Sequence, residues 1–370
     1  MVERGATPEV SPLHKRLLRS ARGLTTPLVP DDYIALINPM WSTKELLGRI
    51  ERLQPETPEA STIVIRPAFD WPGHEPGQYL RIGVSIDGRR HWRAYSLTSD
   101  PGHPDGLISI TVKHVPEGRM SPHFTRRIEP GATVYLGGVE GTFGLPDPLP
   151  EKLLFVSAGS GITPVMSMLR ELERRGSLDG SCDVVHVHSE RSAQSVIFSD
   201  LLNGMAERHP GYVRHEHFTG SRDRLGAAAI GELCGDWRER HTLASGPGEL
   251  LDAITEHWEA EGDPELLDME RFQPKFGMGG GGADGSGGTV RFRVTDVEAE
   301  CDTGVPILAG GEEAGANLQY GCRMGICHTC VGKLAEGQVR DLRTGEVHGE
   351  QGEMIRICIN APEGHVEVEL

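Results

Sequence analysis

The sequence has no run of apolar residues approaching the roughly 20 that a membrane-spanning helix needs, which excludes a chain that crosses a bilayer on such a helix. Positive charge is also short. With 37 Lys+Arg against 54 Asp+Glu the formal net charge is −17, and a general nucleic-acid-binding role is disfavoured because phosphate would be repelled. The first ten residues, MVERGATPEV, hold no apolar core of a secretory signal, so the cytoplasm is the expected compartment. Cysteines number only seven, an odd count: Cys182, Cys234 and Cys301 stand alone, while Cys322, Cys327, Cys330 and Cys358 fall in the last 49 residues. In a cytosolic setting that distribution argues for metal ligation over a disulfide framework.

Glycine is locally abundant instead. In residues 277–288, GMGGGGADGSGG, eight of twelve positions are glycine, and such a segment reads as a flexible linker spanning roughly 19 Å as a random coil. The 82 residues after it, 289–370, carry 14 acidic and 7 basic side chains, a net of −7 that leaves −10 for the rest. Upstream, residues 46–146 hold short β-rich runs, STIVIRP, GQYLRIGVSI, HWRAYSLTS, GLISITVKHV and ATVYLGGV. Many short strands at close spacing predict a small antiparallel barrel. From 147 to 276 strands alternate with helices: LLFVSAG, then TPVMSMLRELERRG, CDVVHVHS, helices near 197–208 and 227–239, HTLASG and GELLDAITEHW. That alternation predicts a parallel sheet with helices on both faces. Residues 1–45 form an N-terminal extension in which Leu13, Leu17 and Leu18 share a side with Lys15, Arg16, Arg19 and Arg22 around them. This reads either as a helix packed on the barrel or as a peripheral contact, through residues 11–22, with a membrane surface or an acidic partner.

Three constellations carry chemistry. Cys322, Cys327 and Cys330 give C-x4-C-x2-C, and Cys358 follows after 27 residues; this is the plant-type [2Fe–2S] ligand spacing. Four thiolates hold two irons, and Gly321 and Gly325 let the loop approach the sulfides. A structural zinc site more often uses two C-x2-C knuckles, which the 4-then-2 loop does not offer. In the barrel stands Arg93-Ala94-Tyr95-Ser96: an Arg fork suits a pyrophosphate, a Tyr ring can stack on a flavin, and a Ser hydroxyl can reach flavin N5. Gly118-Arg119-Met120-Ser121 precedes an expected helix whose amides could bind phosphate. Gly159-Ser160-Gly161-Ile162-Thr163-Pro164 lies between a strand and a helix, as a dinucleotide-binding turn does, with Pro suited to the first helical turn.

Taken in this order, R-x-Y-S, G-x-x-S and G-x-G-x-x-P resemble the ferredoxin–NADP reductase superfamily over roughly residues 46–275, and the tail resembles the plant-type ferredoxins. The whole is similar to reductases of multicomponent oxygenases and desaturases with a fused C-terminal ferredoxin. The stretch LTTPLVPDDYIALINPMWSTKELLGRI resembles that of actinobacterial reductases serving acyl-CoA desaturases. The resemblance implies a multidomain protein: an antiparallel β-barrel flavin domain, an α/β parallel-sheet nucleotide domain and an α+β ferredoxin of β-grasp type. It implies FAD on Tyr79, Arg93, Tyr95 and Ser96, with Gly118, Arg119, Met120 and Ser121 at its phosphates, and a nicotinamide dinucleotide on Gly159, Gly161, Thr163 and Pro164. Where the family has Cys-Gly-Pro, this chain has Ser245-Gly246-Pro247, so Tyr95, Ser96 and Ser245 are the expected catalytic positions, the last without the polarizable sulfur. Ser189 and Arg191 are expected to hold a 2′-phosphate, which favours NADPH over NADH, although Glu190 between them is the residue type that NAD sites use.

The implied function is transfer of electrons from NADPH (or NADH) through FAD and the [2Fe–2S] cluster to a separate acceptor, a diiron fatty-acyl desaturase or another iron oxygenase, soluble or membrane-bound. None of the 16 histidines has a Glu three residues before it, so the Glu-x-x-His pairs of a diiron oxygenase are missing here. The alternatives are the reductase of a soluble hydroxylase, and a redox-sensing or scaffolding module with little turnover. The pairs His186/His188 and His215/His217 are expected at the sheet surface or lining the site, and Cys301 in packing.

Overall fold

The computed structural model describes residues 38–41, 45–86, 88–116, 118, 120–272, 285–316, 318–320, 325 and 328–370. The extension with its basic stretch 11–22, most of the glycine run, Arg119, Cys322 and Cys327 lie outside the described residues. Two compact units result: residues 1–86 with 94–271, which hold the first two sheets apart from residues 89–93, and residues 87–93 with 272–370, which hold the third.

The first sheet has six antiparallel strands: β1 (Leu47–Thr57), β2 (Ala60–Pro67), β3 (Tyr79–Ile86), β4 (Arg89–Ser96), β5 (Ile108–Lys113) and β6 (Thr133–Glu140), in the order β4-β3-β6-β1-β2-β5. A bridge between Leu97 and Ile110 brings the two ends of that order together, which makes the sheet a barrel. Alternation fills it: Ile63, Ile65, Leu80, Ile82, Leu97 and Ile110 are fully buried in one cluster, while the intervening Thr62 and Thr111 hydroxyls meet each other at 2.7 Å. A short helix, α1 (Met120–Arg126), sits between β5 and β6 and contributes Met120 and Phe124 to the core. Strand β1 is absent from the sequence expectation, because LGRIERLQPET carries four charges, at Arg49, Glu51, Arg52 and Glu56, and buries only Leu47, Gly48 and Ile50.

The second sheet is parallel: β7 (Lys152–Ala158), β8 (Asp183–Glu190), β9 (Tyr212–Phe218), β10 (His241–Ser245) and β11 (Leu267–Glu270), ordered β11-β10-β7-β8-β9. Its three inner strands, β10, β7 and β8, are buried on both faces, as strands covered by helices on each side must be. Leu153, Phe155 and Val184 pack under α2 (Ile162–Arg174) and α3 (Ser199–Arg208). Leu154, Val156, Val185 and Val187 pack under α4 (Ala227–Leu233) and α5 (Gly248–Glu261). Helix α4 stops earlier than the expected 239, giving way to a 3₁₀ turn at Trp237–Glu239. At the N-terminal edge of the sheet, buried Arg240 donates to both carboxylate oxygens of Asp236, to Asp183 and to two main-chain carbonyls, tying three elements together.

The third sheet is mixed: β12 (Gly288–Phe292), β13 (Val297–Cys301), β14 (Val331–Asp341), β15 (Val347–His348), β16 (Met354–Arg356) and β17 (Asn360–Glu369), with β12 and β17 parallel and the other pairs antiparallel. Helix α6 (Ile307–Glu313) packs Ile307 and Leu308 against Phe292, Val366 and Val368. The last glycine of the glycine-rich run, Gly288, already pairs with Cys301 as the first residue of β12.

Candidate functional site

In an open parallel sheet, ligands bind beyond the carboxyl ends of the strands where the order reverses. Here the reversal lies at β7, flanked by β8 and β10, and the turns that follow β7 and β10 carry the two glycine motifs. Gly159 adopts φ +55°, and the residues Gly159–Gly161 form one 3₁₀ turn into α2. A Cβ on Gly161 would stand 2.1 Å from Ser245 O and 2.8 Å from Gly246 N. The absence of a side chain is therefore what lets the first turn lie directly on the second. Thr163 donates its hydroxyl to Ser160 O at 2.9 Å, and both Thr163 and Pro164 are buried. Ser245 is fully buried, and its hydroxyl has no hydrogen-bond partner among the described residues; an orphaned polar atom at this place fits a polar ligand group. Pro247 precedes α5 in extended conformation.

Beside Ser245 in the β10–β11 register is Glu270, whose carboxyl burial pushes its pKa up to about 7. Sequence reading passed over it, because LDME has neither the length nor the periodicity of a recognisable strand; its position, last in the strand that follows α5, was the available signal.

On the other side of β7, Ser189 and Glu190 are buried at the end of β8. Glu190 pairs with Lys113 of the barrel at 3.0 Å and accepts the main-chain N–H of Arg191 at 3.0 Å. Its carboxylate lies near the first glycine, with Oε2 3.8 Å from where a Cβ on Gly159 would be. Arg191 is a surface residue, 63% exposed, and pairs with Glu59 at 2.6 Å. The histidines of β8 are neither at the surface nor lining the site, contrary to the sequence expectation. His186 and His188 are within the core, where Ser157 Oγ stands 2.8 Å from both His186 Nε2 and His188 Nδ1, and Tyr212 OH stands 2.9 Å from His186 Nδ1. Burial drives both imidazoles to the neutral form, His188 to a pKa of about 3. His217 is also buried, its Nε2 2.8 Å from Asp223 O, while His215 is half-buried.

In the barrel, alternation along β4 sets Arg93 and Tyr95 on one face and Ser96 on the other. Connections to β5 among the described residues begin only past Ser96, at the Leu97–Ile110 bridge and the Thr98–Ser109 bonds, so an Arg, a Tyr and a Ser line a strand edge that a flat ligand can straddle. Tyr95 packs edge-on against Phe124, with ring centroids 5.7 Å apart. Tyr79 is half-buried, and its hydroxyl reaches Glu140 at 3.5 Å. Ser121 Oγ accepts the Val115 N–H at 3.1 Å and donates to Val115 O at 3.3 Å, so it closes the turn containing Gly118. Met120 faces the core. The donor set and open edge fit a flavin dinucleotide.

In the third sheet, Cys330 and Cys358 are each 2% exposed. Gly325, at φ +72°, donates its N–H to Cys358 Sγ at 3.3 Å, and a Cβ there would strike Ile359 at 2.5 Å. Arg356 Nη1 holds the Gly325 carbonyl at 2.7 Å. An amide aimed at a cysteine sulfur on a loop braced by an arginine fits an iron–sulfur cluster, whose thiolates such bonds stabilise. Cys301 packs its sulfur against Gly310, and burial raises its thiol pKa to about 11.

A flavin barrel, a nucleotide-binding parallel sheet and a cysteine-bearing mixed sheet in one chain define an NAD(P)H-dependent flavin/iron–sulfur oxidoreductase. Residues 68–144 match the oxidoreductase FAD-binding domain family, 155–255 the oxidoreductase NAD-binding domain family, and 292–363 the 2Fe-2S iron-sulfur cluster binding domain family. The chain is 43% identical over 357 residues to an NADPH oxidoreductase of Mycobacterium tuberculosis, covering 96% of this chain and 92% of that protein. It is 30% identical over 356 residues to the stachydrine N-demethylase reductase subunit Stc4 of Rhizobium meliloti, covering 89% and 97%. Among solved structures, phthalate dioxygenase reductase superposes with a TM-score of 0.57 at 19% identity, covering 88% of this chain and 98% of that one. The chain belongs to the ferredoxin–NADP reductase family, in the branch that carries a C-terminal [2Fe–2S] ferredoxin domain.

Proposed function

We propose that the chain is the NADPH-dependent reductase of a multicomponent system, handing electrons to a separate iron oxygenase, with a diiron fatty-acyl desaturase as the acceptor to test first. The observation that carries this is the fusion of a hydride-accepting flavoprotein to a one-electron module. Bound to these modules, a flavin takes up electrons in pairs and a [2Fe–2S] cluster passes them on singly. That the sequence holds no Glu-x-x-His pair supports assigning the terminal oxidation to another protein. Relatives named as reductase subunits of stachydrine N-demethylase and, at 28% identity, of glycine betaine monooxygenase of Pseudomonas aeruginosa support an oxygenase as acceptor. The desaturase rests on the N-terminal stretch ending near Ile50.

In this reading the chain's own residues divide the work. Arg93 and the 115–121 turn hold flavin phosphates; Tyr95 and Ser96 orient the ring; Gly159, Gly161, Thr163 and Pro164 form the floor for the nicotinamide dinucleotide; Ser245 and Glu270 supply polar groups beside it; and Cys322, Cys327, Cys330 and Cys358 hold the cluster. NADPH is preferred through Ser189 and Arg191, in keeping with the relative named NADPH oxidoreductase.

Reconstitution tests the acceptor. Purified chain, NADPH and a membrane-bound stearoyl-type desaturase should give unsaturated product, and a reductase deleted after residue 276 should not. Product at the full rate from the truncated chain refutes the proposal, and bound flavin with negligible cytochrome c reduction would favour a sensor. Arg191→Ala tests the coenzyme: a charge-assisted contact worth about 1.5–3 kcal/mol should raise KM for NADPH at least tenfold and leave KM for NADH little changed.

A further inference from the structure

We propose that Ser167, Arg170 and Arg174 of α2 are positioning residues, a clamp that fixes the end of the flavin strand relative to the nucleotide turn. They follow at i, i+3 and i+7, the spacing of one helix face. Each engages a different residue of one short barrel segment. Ser167 Oγ donates to Ser99 O at 2.8 Å, Arg170 Nη1 donates to Thr98 O, and Arg174 Nε pairs with the Asp100 carboxylate at 3.0 Å. Residues 98–100 begin two positions beyond Ser96, and the segment is held from behind as well. Thr98 donates its N–H to Ser109 O at 2.8 Å, Thr98 Oγ1 and Ser109 Oγ are 2.8 Å apart, and Leu97 donates its N–H to Gln78 O at 2.9 Å.

The other end of α2 is the nucleotide turn. From Ile162 to Ser167 the helix rises about 7.5 Å, and a buried helix is stiff over that length. Arg170 is braced on its own domain by Phe198, whose ring centroid lies 5.6 Å from the guanidinium. The path from Ser96 through 98–100 and α2 to Gly161 is therefore short and hydrogen-bonded throughout. Surface adhesion between two domains does not require three donors aimed at consecutive residues, two of them at main-chain carbonyls. A clamp of this form sets separation, and separation governs a transfer that needs reacting atoms about 3–3.5 Å apart.

This inference rests on the reading that the barrel holds flavin and the turn holds nicotinamide, and the test separates the two. Full-length Ser167→Ala, Arg170→Ala and Arg170→Lys proteins are compared with Arg175→Ala, which removes a neighbouring cation whose pairing partner is Glu171 on the same helix. In stopped-flow experiments with NADPH, Arg170→Ala should lower the limiting rate of flavin reduction by about 10–100-fold. The half-saturating concentration should change less than about threefold, because the clamp does not touch the nucleotide, and Arg170→Lys should recover part of the rate through its single ammonium donor. Hydrogen exchange of the amides of residues 97–100, which requires no cofactor, should accelerate in Ser167→Ala and Arg170→Ala but not in Arg175→Ala. Unchanged exchange in Arg170→Ala overturns the clamp, as does a wild-type limiting rate in flavin-loaded protein, or an equal fall in Arg175→Ala. If the wild-type chain binds no flavin, the functional reading falls and exchange alone decides the clamp.

Discussion

Placing a methyl group on Gly161 is the sharpest test of the nucleotide site. The backbone there has φ −60° and ψ −12°, which alanine adopts freely, so Gly161→Ala acts through space and not through conformational strain. The added Cβ would lie 2.1 Å from Ser245 O and 2.5 Å from Ser245 C. A carbon approaches a carbonyl oxygen to about 3.3 Å, so one of the two turns must retreat by roughly 1 Å. Where reacting atoms must meet closely, a misplacement of that size costs on the order of 100-fold, or about 2.7 kcal/mol of activation free energy. Gly159→Ala is the comparison: its Cβ would meet only Glu190 Oε2 at 3.8 Å, but φ is +55°, so the change costs about 1–2 kcal/mol of backbone strain without pushing the turns apart. Stopped-flow absorbance of the flavin during NADPH reduction should rank wild type, Gly159→Ala and Gly161→Ala in descending order of limiting rate. A Gly161→Ala protein that is reduced at the wild-type rate, or that is no slower than Gly159→Ala, would refute the argument that this contact sets the geometry.

Arg240→Met should remove the bonds to Asp236, Asp183 and two main-chain carbonyls while Asp236 keeps Lys152, and destabilise the first unit by about 1–3 kcal/mol, lowering its Tm by roughly 2–12 °C in calorimetry. Glu270, with its pKa raised by burial from 4.5 to about 7, binds its proton more tightly folded than unfolded. Its carboxyl therefore favours the fold below about pH 4.5, and that contribution is lost as pH rises to 7. In nucleotide-free protein, Glu270→Gln should flatten the decline of stability between pH 5 and 8 seen by denaturant titration; parallel curves for the two proteins would contradict the burial. Cys330→Ser should abolish iron binding and the paramagnetic signal of the reduced protein while flavin content stays at the wild-type level, measured by metal analysis and absorbance.

Much of the site could be read from sequence where chemistry is concentrated in adjacent residues. Arg93–Ser96, the Gly159–Pro164 turn and the cysteine spacing are local patterns, and local patterns survive without knowledge of the fold. Contacts between distant residues were not legible. Nothing in the sequence pairs Lys113 with Glu190, sets Gly161 on Ser245, or registers Glu270 beside Ser245; these depend on which strands become neighbours. The histidines failed for a related reason. Alternating His186 and His188 look like a polar strand face, and only the helices covering that face turn it into core, where Ser157 and Tyr212 supply the partners that make burial tolerable. Strand β1 escaped because a barrel strand with a wet outer face dilutes the apolar signal.

The chain Tyr212–His186–Ser157–His188 has a direction. Each of the four groups carries one exchangeable proton when the imidazoles are neutral, yet only three hydrogen bonds join them. One proton is therefore always left over, at the Tyr212 hydroxyl or at His188 Nε2, which has no partner among the described residues. Ser157 has a single proton to give, so one histidine must donate to it and the other accept from it; because it meets His186 at Nε2 and His188 at Nδ1, the two rings share one tautomer, and reversing one reverses all. Lys113 and Arg214 both disfavour added positive charge on His188. The ring therefore takes up no further proton, and the network keeps its four protons and its two possible senses across the ordinary pH range.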